Sequence, residues 1–262
     1  MNHAPFSFEV PGARVCVLMV HGFLDSPHYF DALLSHIPAD WSFYSLLLDG
    51  HGQTLHELQH SNRAKWEAQV EQALARACEL YERVVIIAHS MGCLLTANAA
   101  VRCGLEHKIS SMLFLGAALY PKCEPPIVHT AWRLISCQDP QYDDRRTVAA
   151  RTCCSVDVQH IRARDILASI PRLADVCALA RYTRKRIGSY DLPMIALQSY
   201  KDEMVGRRSI KPFEKNPHAK CEFLPGSCHF YYTPEDTERI CCVFEGVVAD
   251  VCKNLQKVYA AH

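Results

Sequence analysis

Short apolar runs alternate with segments of helical periodicity along the 262 residues of the chain. The runs are rich in Val, Ile, Leu and Phe and are continuous rather than alternating, which is typical of strands covered on both faces. Two early runs, residues 7–10 and 14–20, flank a Pro-Gly-Ala turn and predict a β-hairpin. Further single strands are predicted at residues 43–48, 84–88, 111–116, 193–198 and 221–224.

Two long segments between and after these runs carry apolar residues at helical spacing. One covers residues 61–82, and the other covers residues 234–259. The second begins with Thr233 as a predicted N-cap and Pro234 at the first helical position, and Asp236 suggests a capping box with Asp in place of Glu. Strands and helices that follow one another in this way predict the α/β class, with a mostly parallel sheet and helices on both faces.

The strand–helix rhythm stops between residues 120 and 188. This stretch shows no convincing strand pattern and is far too long for an ordinary connection. We therefore predict a helical cap, residues 120–188, inserted into an α/β core that is formed by residues 1–119 and 189–262. Helical pieces of the cap are expected at residues 127–137, 145–152 and 160–182.

The composition and the balance of charges indicate which kinds of partner the protein is expected to bind. Hydrophobic residues make up 49% of the chain, enough for one sizeable core, and 28 Lys and Arg balance 28 Asp and Glu. Without a strong net charge, neither nucleic acid nor an anionic membrane is expected as the main partner. The longest early apolar run, residues 15–20, is far shorter than the roughly 20 residues of a transmembrane helix, so no transmembrane segment is expected.

The 14 cysteines raise the question of disulfides and metal sites. The first ten residues have neither a basic start nor a long apolar stretch, so no export signal is expected. No C-x-x-C motif occurs, which argues against a bound metal. We expect a cytoplasmic protein with reduced thiols that fill the core as small hydrophobic groups, and disulfides are the less favoured alternative.

The run VVIIA at residues 84–88 leads into His-Ser-Met-Gly and places Ser90 at a strand-to-helix turn. A serine hydroxyl is a poor nucleophile unless a base accepts its proton. A sharp turn holds the serine out of the carboxyl edge of the sheet, and the following helix points its free amides at developing negative charge. The small residues Ala88 and Gly92 allow close packing around the turn. Ser90 is therefore the predicted nucleophile.

A second loop is expected beside this turn, where VLMV leads into His-Gly-Phe at residues 21–23. The backbone amides of Phe23 and Met91 are the predicted oxyanion donors, each typically worth about 3 kcal/mol. The next strand ends in Asp-Gly-His-Gly at residues 49–52. We assign its glycines to backbone geometry and regard Asp49 and His51 as structural.

Among the 14 histidines, His229 has the best position for a base. It follows the strand at 221–224 through a short loop and precedes the last helix, so it is expected at the carboxyl edge of the sheet, where ligands bind. His218 precedes the same strand and is expected at the opposite edge. His89 adjoins Ser90, but neighbours on a tight turn point apart.

The acid partner is expected after the preceding strand, where Asp202 and Glu203 follow each other. Asp202 is favoured because it stands before an apolar Met-Val pair that would anchor the loop, and Glu203 is the alternative. Asp191 precedes its strand and is expected at the wrong edge. A carboxylate in this position would hold the imidazole tautomer and stabilise the imidazolium without accepting the proton.

The predicted residues follow the chain order Ser, Asp, His, and the serine stands in a glycine-bearing elbow. This is the order found in the α/β-hydrolases. Within this superfamily, the chain resembles the lipase and carboxylesterase branch that includes monoacylglycerol lipases and small bacterial carboxylesterases. The motifs that carry the resemblance are HGF, DGHG, AHSMG, an Asp followed three residues later by Val, and GSCH. The resemblance covers nearly the whole chain. It departs at Ala88, where members carry Gly, and the HGGG loop of another esterase branch is absent.

The resemblance implies a serine hydrolase of carboxylic esters that needs no cofactor, with Ser90 as nucleophile, Asp202 and His229 as relay, and the Phe23 and Met91 amides as oxyanion hole. Three alternatives stay open: the same triad acting on a thioester, amide, lactone or carbon–carbon bond, acyl transfer to an acceptor other than water, and a non-catalytic binding module. The expected partner is a small acyl ester, and the oligomeric state is left open. Candidate residues of an acyl pocket are Leu24, Met204, Ile127, Trp132 and Ile135, and the alternative is that several of them pack the cap on the core.

Overall fold

The computed structural model describes residues 3–122 and 163–260, and its centre is a seven-stranded sheet. The strand order is β1-β3-β2-β4-β5-β6-β7, and every pairing is parallel except that of β1. The predicted α/β class with a mostly parallel sheet is confirmed. The strands are β1 (Phe6–Phe8), β2 (Val15–Val20), β3 (Ser42–Leu46), β4 (Arg83–His89), β5 (Ile109–Leu115), β6 (Met194–Ser199) and β7 (Ala219–Leu224).

Helices cover both faces of the sheet. Alternate residues of β2 point to opposite sides, so that Leu18 belongs to one buried cluster and Met19 to the other. None of the described helices combines the length and apolarity that crossing a bilayer requires. The helices are α1 (Asp31–Leu34), α2 (Leu55–Leu58), α3 (Arg63–Leu80), α4 (Met91–Arg102), α5 (Ala163–Arg184), α6 (Lys211–Glu214) and α7 (Pro234–Ala260).

The predicted early hairpin is wrong. β1 pairs antiparallel with β3 and not with β2, since both edges of β2 are taken by the parallel neighbours β3 and β4. β3 has a free edge on the side away from β2, and β1 pairs with that edge. The backbone amide of Val10 then donates to the hydroxyl of Ser42 at 2.9 Å, which ties the end of β1 to the start of β3.

The start of α7 is capped, but only half of the predicted capping box forms. The hydroxyl of Thr233 accepts a hydrogen bond from the amide of Asp236 at 3.2 Å, as expected of an N-cap. The carboxylate of Asp236 does not return to Thr233. It accepts instead from the amide of Gly226 at 2.9 Å and from the hydroxyl of Ser227. Asp236 therefore braces the loop that leads to His229.

The described part of the predicted cap, residues 120–122 and 163–188, contains the 22-residue helix α5. The C-terminal half of α5 packs on α4, where the buried amide of Asn98 donates to the hydroxyl of Thr183 at 2.8 Å. The helical pieces predicted at 127–137 and 145–152 lie outside the described residues. The cap as a separate unit therefore stays a prediction.

Candidate active site

Ser90 lies at the turn between β4 and α4 in a strained backbone conformation. Its φ of 52° and ψ of −114° are unusual for a residue with a side chain, and such conformations cost about 1–3 kcal/mol. The turn is held by the amide of Ser90, which donates to the carbonyl of Leu115 at 2.9 Å. This strain is typical of a nucleophile elbow, in which the serine side chain is pushed out of the sheet edge.

Gly92 is required by the packing of the elbow against β2. A Cβ at Gly92 would lie 2.1 Å from the carbonyl oxygen of Val20 and 2.6 Å from that of His21. The position two residues before Ser90 tolerates a methyl group, because the side chain of Ala88 is fully buried between β2 and β5. The expectation that small residues permit this approach is confirmed most clearly at Gly92.

Substituting Gly92 with Ala should destabilise the fold, because the new methyl group meets backbone oxygens that cannot move independently. Overpacking typically costs about 1–3 kcal/mol, and we expect Gly92→Ala to reach or exceed the upper value. Gly246→Ala is the matched control: nothing lies within 4 Å of its added Cβ in α7, so it should leave stability unchanged or raise it by up to about 1 kcal/mol. Urea unfolding followed by circular dichroism measures both, and equal stability of the two variants would contradict the packing argument.

His229 lies in the loop between β7 and α7, at the same edge of the sheet as Ser90. Its Nε2 atom is 3.0 Å from the hydroxyl oxygen of Ser90. The residue is 3% exposed and Ser90 is 7% exposed, so the pair is screened from bulk water but retains an opening toward the hydroxyl. The structure thus brings the predicted nucleophile and the predicted base into hydrogen-bonding contact.

Asp202 completes a continuous chain of hydrogen bonds. Its Oδ2 atom lies 2.9 Å from Nδ1 of His229 and also accepts from the side chain of Gln198 at 3.0 Å. Its Oδ1 atom accepts from the amides of Met204 at 2.9 Å and Val205 at 2.7 Å. The Met-Val pair therefore anchors the carboxylate through its backbone amides as well as by apolar packing.

The competing residues occupy other places. The carboxylate of Glu203 accepts from the backbone amide of His229 at 3.1 Å, and it does not contact the ring nitrogens. His218 lies at the opposite edge of the sheet, where its Nε2 atom is 3.4 Å from Asp191. Glu203, the alternative acid, is therefore not in position to act on the ring of His229, and His218 and Asp191 lie away from Ser90, as expected.

The electrostatics of the Asp202–His229 pair favour a charged imidazole. Burial acts to lower the pKa of His229, but the charge of Asp202 and its hydrogen bond outweigh burial and raise that pKa above the ordinary value of 6.5. Burial acts to raise the pKa of Asp202, and the charge of His229 overcomes it, so this pKa is lowered. The carboxylate stays ionised and stabilises a proton on His229.

The loop after β2 runs directly past the elbow, since a Cβ on Gly22 would lie 2.7 Å from that of Ser90. Phe23, the predicted oxyanion donor of this loop, is partly buried against the core. Leu24 has a positive φ of 59°, and its amide donates to Nε2 of His51 at 3.1 Å. Burial lowers the pKa of His51 to about 3, so the ring stays neutral and can accept this bond.

Met91, the second predicted oxyanion donor, is the first residue of α4 and is fully buried. Its amide therefore belongs to the helix N-terminus, where free N–H groups and the positive end of the dipole are found. Of the candidate pocket residues, Leu24 and Met204 are partly buried near the core. Ile127, Trp132 and Ile135 lie outside the described residues.

Two structural supports of the site were not predicted as such. Gln198 was seen only as part of a strand, although a polar residue at the end of an apolar run signals a buried hydrogen bond. The contact that His51 makes with Leu24, in the loop after β2, joins residues that are 27 positions apart, and no local pattern reveals it. Among the described residues, no group of His, Cys, Asp and Glu could hold a metal ion, and no disulfide occurs.

A family model described as the alpha/beta hydrolase family matches residues 17–238 of the chain. No curated protein sequence gives a significant match. Solved structures that match this chain are numerous, and the three described next cover 93–96% of it.

A structure from the work on LipS and LipT, two metagenome-derived lipolytic enzymes, has a TM-score of 0.69 at 20% identity, with 96% of this chain and 98% of that chain covered. The monoacylglycerol lipase of Paleococcus ferrophilus has a TM-score of 0.67 at 20% identity, with 95% and 100% covered. A thioesterase domain from the curacin biosynthetic pathway has a TM-score of 0.59 at 18% identity, with 93% and 94% covered. At such identities the similarity establishes the fold alone.

Proposed function

The chain belongs to the alpha/beta hydrolase family, and we propose that it is a serine hydrolase that cleaves carboxylic esters through an acyl-enzyme on Ser90. The observation that carries this proposal is the unbroken hydrogen-bonded chain from Ser90 through His229 to Asp202, with distances of 3.0 Å and 2.9 Å. These three residues are far apart in sequence, and their order of contact, hydroxyl to imidazole to carboxylate, is that of a Ser-His-Asp triad.

The geometry supports a two-step reaction. The hydroxyl oxygen of Ser90 attacks the ester carbonyl carbon while its proton passes to Nε2 of His229. The tetrahedral intermediate collapses, and the same proton leaves with the alcohol. Water then gives a proton to Nε2 and attacks the acyl-enzyme. The acid is released as the proton returns to the oxygen of Ser90, so that atoms and charge balance over the cycle.

Two features support stabilisation of the negative charge in each intermediate. The amide of Met91 belongs to the N-terminus of α4, and the loop carrying Phe23 packs against the elbow. A pair of such amides would bind the oxyanion, each with a typical effect of about 3 kcal/mol on the barrier. The contact of His51 with Leu24 holds the backbone of this loop in place.

The choice of an ester as substrate is supported by the relatives in structure, which include a lipolytic enzyme and a monoacylglycerol lipase. The thioesterase domain of the curacin pathway supports a thioester as second candidate. Both substrates react through the same acyl-enzyme, so the triad does not distinguish them.

A panel of substrates with one acyl group and different leaving groups tests the proposal. For a given acyl chain, we expect higher kcat/KM for the two oxygen esters, the p-nitrophenyl ester and the monoacylglycerol, than for the acyl-CoA thioester and the p-nitroanilide. Acyl chains of two, four, eight and sixteen carbons should be compared in parallel. The Ser90→Ala variant, purified in the same way, serves as control for contaminating activity.

Three results would count against the proposal. Faster cleavage of the thioester would assign the protein to the second candidate, and faster cleavage of the anilide would assign it to amide hydrolysis. No turnover of any substrate, from a protein that is folded and monodisperse, would support a non-catalytic role.

A further inference from the structure

A second buried Asp–His pair lies directly behind the proposed nucleophile. Nδ1 of His89 is 2.6 Å from Oδ2 of Asp25, and both residues are fully shielded from solvent. The ring of His89 lies next to that of His229, with centroids 4.6 Å apart, but it makes no hydrogen bond to Ser90. The pair is therefore outside the proposed relay, although His89 contacts His229.

The other ring nitrogen of His89 reaches the backbone of the proposed base. Its Nε2 atom lies 3.2 Å from the carbonyl oxygen of His229. The hydroxyl of Tyr29 donates to the same oxygen at 3.2 Å, and the ring of Tyr29 stacks on His89 with centroids 3.9 Å apart. Two donors, held together by stacking, thus converge on the main chain of the base.

The chemistry of these partners fixes the direction of the contact. A backbone carbonyl only accepts hydrogen bonds, so Nε2 of His89 must carry the proton in its contact with His229. Asp25 also faces the ring as an acceptor. Both contacts are satisfied only when each ring nitrogen of His89 holds a proton. Burial opposes this state and lowers the pKa of His89, whereas the charge of Asp25 and its hydrogen bond favour it.

Asp25 also forms hydrogen bonds with the loop that carries Phe23, the proposed oxyanion donor. Its Oδ1 atom accepts from the amide of Ser26 at 2.8 Å, and its Oδ2 atom accepts from the amide of Gly22 at 3.3 Å. These two amides flank the segment that contains Phe23. The pair therefore connects the oxyanion loop, the elbow and the loop of His229.

We propose that Asp25 and His89 are positioning residues that hold the backbone of His229 and the oxyanion loop in register with Ser90, with Tyr29 as the second donor to the His229 carbonyl. The proposal rests on the function proposed above. It follows from the geometry, because a fixed carbonyl restricts rotation of the His229 backbone and so keeps Nε2 of its ring in reach of the hydroxyl. Displacement of a reacting group by about 1 Å can cost about 100-fold in rate.

Substituting His89 with Gln or with Asn tests the contacts of its two ring nitrogens separately. In His89→Gln the amide nitrogen takes the place of Nε2 and can still donate to the carbonyl of His229. In His89→Asn it takes the place of Nδ1 and reaches only Asp25. We expect His89→Asn and Asp25→Asn to lower kcat by about 100-fold with little change in KM, and we expect His89→Gln to retain most of the activity.

Tyr29→Phe removes one donor and keeps the stacked ring, so a smaller loss of kcat is expected. Tyr190→Phe is the matched control, since Tyr190 donates to the buried Asn98 at 2.8 Å away from the site. Rates are expressed per active site titrated with a fluorophosphonate. The second readout is the low-field proton resonance between Nδ1 of His229 and Asp202, which should shift or broaden in the variants but not in Tyr190→Phe.

The outcomes separate the two proposals. A wild-type protein that cleaves no ester would sink the proposed function, and the resonance would still report on the positioning of His229. Folded Asp25→Asn and His89→Asn variants with wild-type kcat, or equal losses in His89→Gln and His89→Asn, would overturn the positioning role. If the Asp25 and His89 variants do not fold, Tyr29→Phe decides: unchanged kcat and an unchanged resonance would overturn the proposal.

Discussion

Replacing Ser90 with Ala is expected to lower kcat for the best substrate by about 10⁶-fold, because the acyl-enzyme cannot form without the hydroxyl. The substitution removes a single oxygen from a residue that is 7% exposed, so the fold should persist. KM for the ester should change little, since the hydroxyl contributes to the reaction more than to substrate binding. Steady-state kinetics with the preferred ester, on protein free of host esterases, measures the loss.

Ser111→Ala is the matched control for this experiment. Ser111 lies on β5, is also 7% exposed, and makes no contact with the proposed triad in the described part of the chain. We expect this variant to keep the kcat of the wild type. Activity of Ser90→Ala that remains within the range of Ser111→Ala would rule out Ser90 as the nucleophile.

Replacing Asp202 with Asn is expected to lower kcat by about 10⁴-fold. The amide cannot stabilise the imidazolium of His229, and it favours the wrong tautomer of the ring. The pH profile should change in a defined direction. The base acts only when neutral, so kcat/KM rises with pH through the pKa of His229, which Asp202 raises above 6.5. The acid limb of the wild type should therefore lie above pH 6.5, and that of Asp202→Asn should move to lower pH.

Glu203→Gln separates the acid of the triad from its neighbour. Glu203 accepts from the backbone amide of His229, and the carbonyl oxygen of a glutamine can still accept this bond. We expect a change in kcat that is small beside that of Asp202→Asn. The acid limb should move to lower pH, because the charge of Glu203 helps to raise the pKa of His229, but by less than in Asp202→Asn. A larger loss in Glu203→Gln than in Asp202→Asn would reverse the assignment of the two carboxylates.

The sheet and the elbow were predictable because they depend on local patterns. Continuous apolar runs mark strands that are covered on both faces, and a strand that ends on Ala-His-Ser-Met-Gly marks the turn at Ser90. His229 and the neighbouring carboxylates Asp202 and Glu203 were placed by one topological rule, namely that the carboxyl ends of parallel strands meet at one edge, and the Met-Val pair that follows favoured Asp202. The rule needs only the position of each residue relative to its strand, which the sequence supplies.

The errors arose where partners are distant in sequence. The partner of β1 depends on which strand edge stays free, and that depends on the order of the whole sheet. The carboxylate of Asp236 had a local partner at Thr233 available but binds Gly226 and Ser227, because the loop before α7 folds back onto the helix start. His89 was correctly set aside as the base, but its partners, Asp25 and the carbonyl of His229, lie 64 and 140 positions away, so no local pattern indicates these contacts.

The most direct test of the central claim is the site of covalent modification by a fluorophosphonate that carries an alkyl chain. Intact-mass and peptide mass spectrometry of the labelled protein should show one adduct, on the hydroxyl of Ser90, and its formation should be abolished in Ser90→Ala and strongly slowed in Asp202→Asn. Ester hydrolysis that continues with Ser90 unmodified, or an adduct on another residue that abolishes activity, would contradict the claim that Ser90, His229 and Asp202 form the catalytic centre.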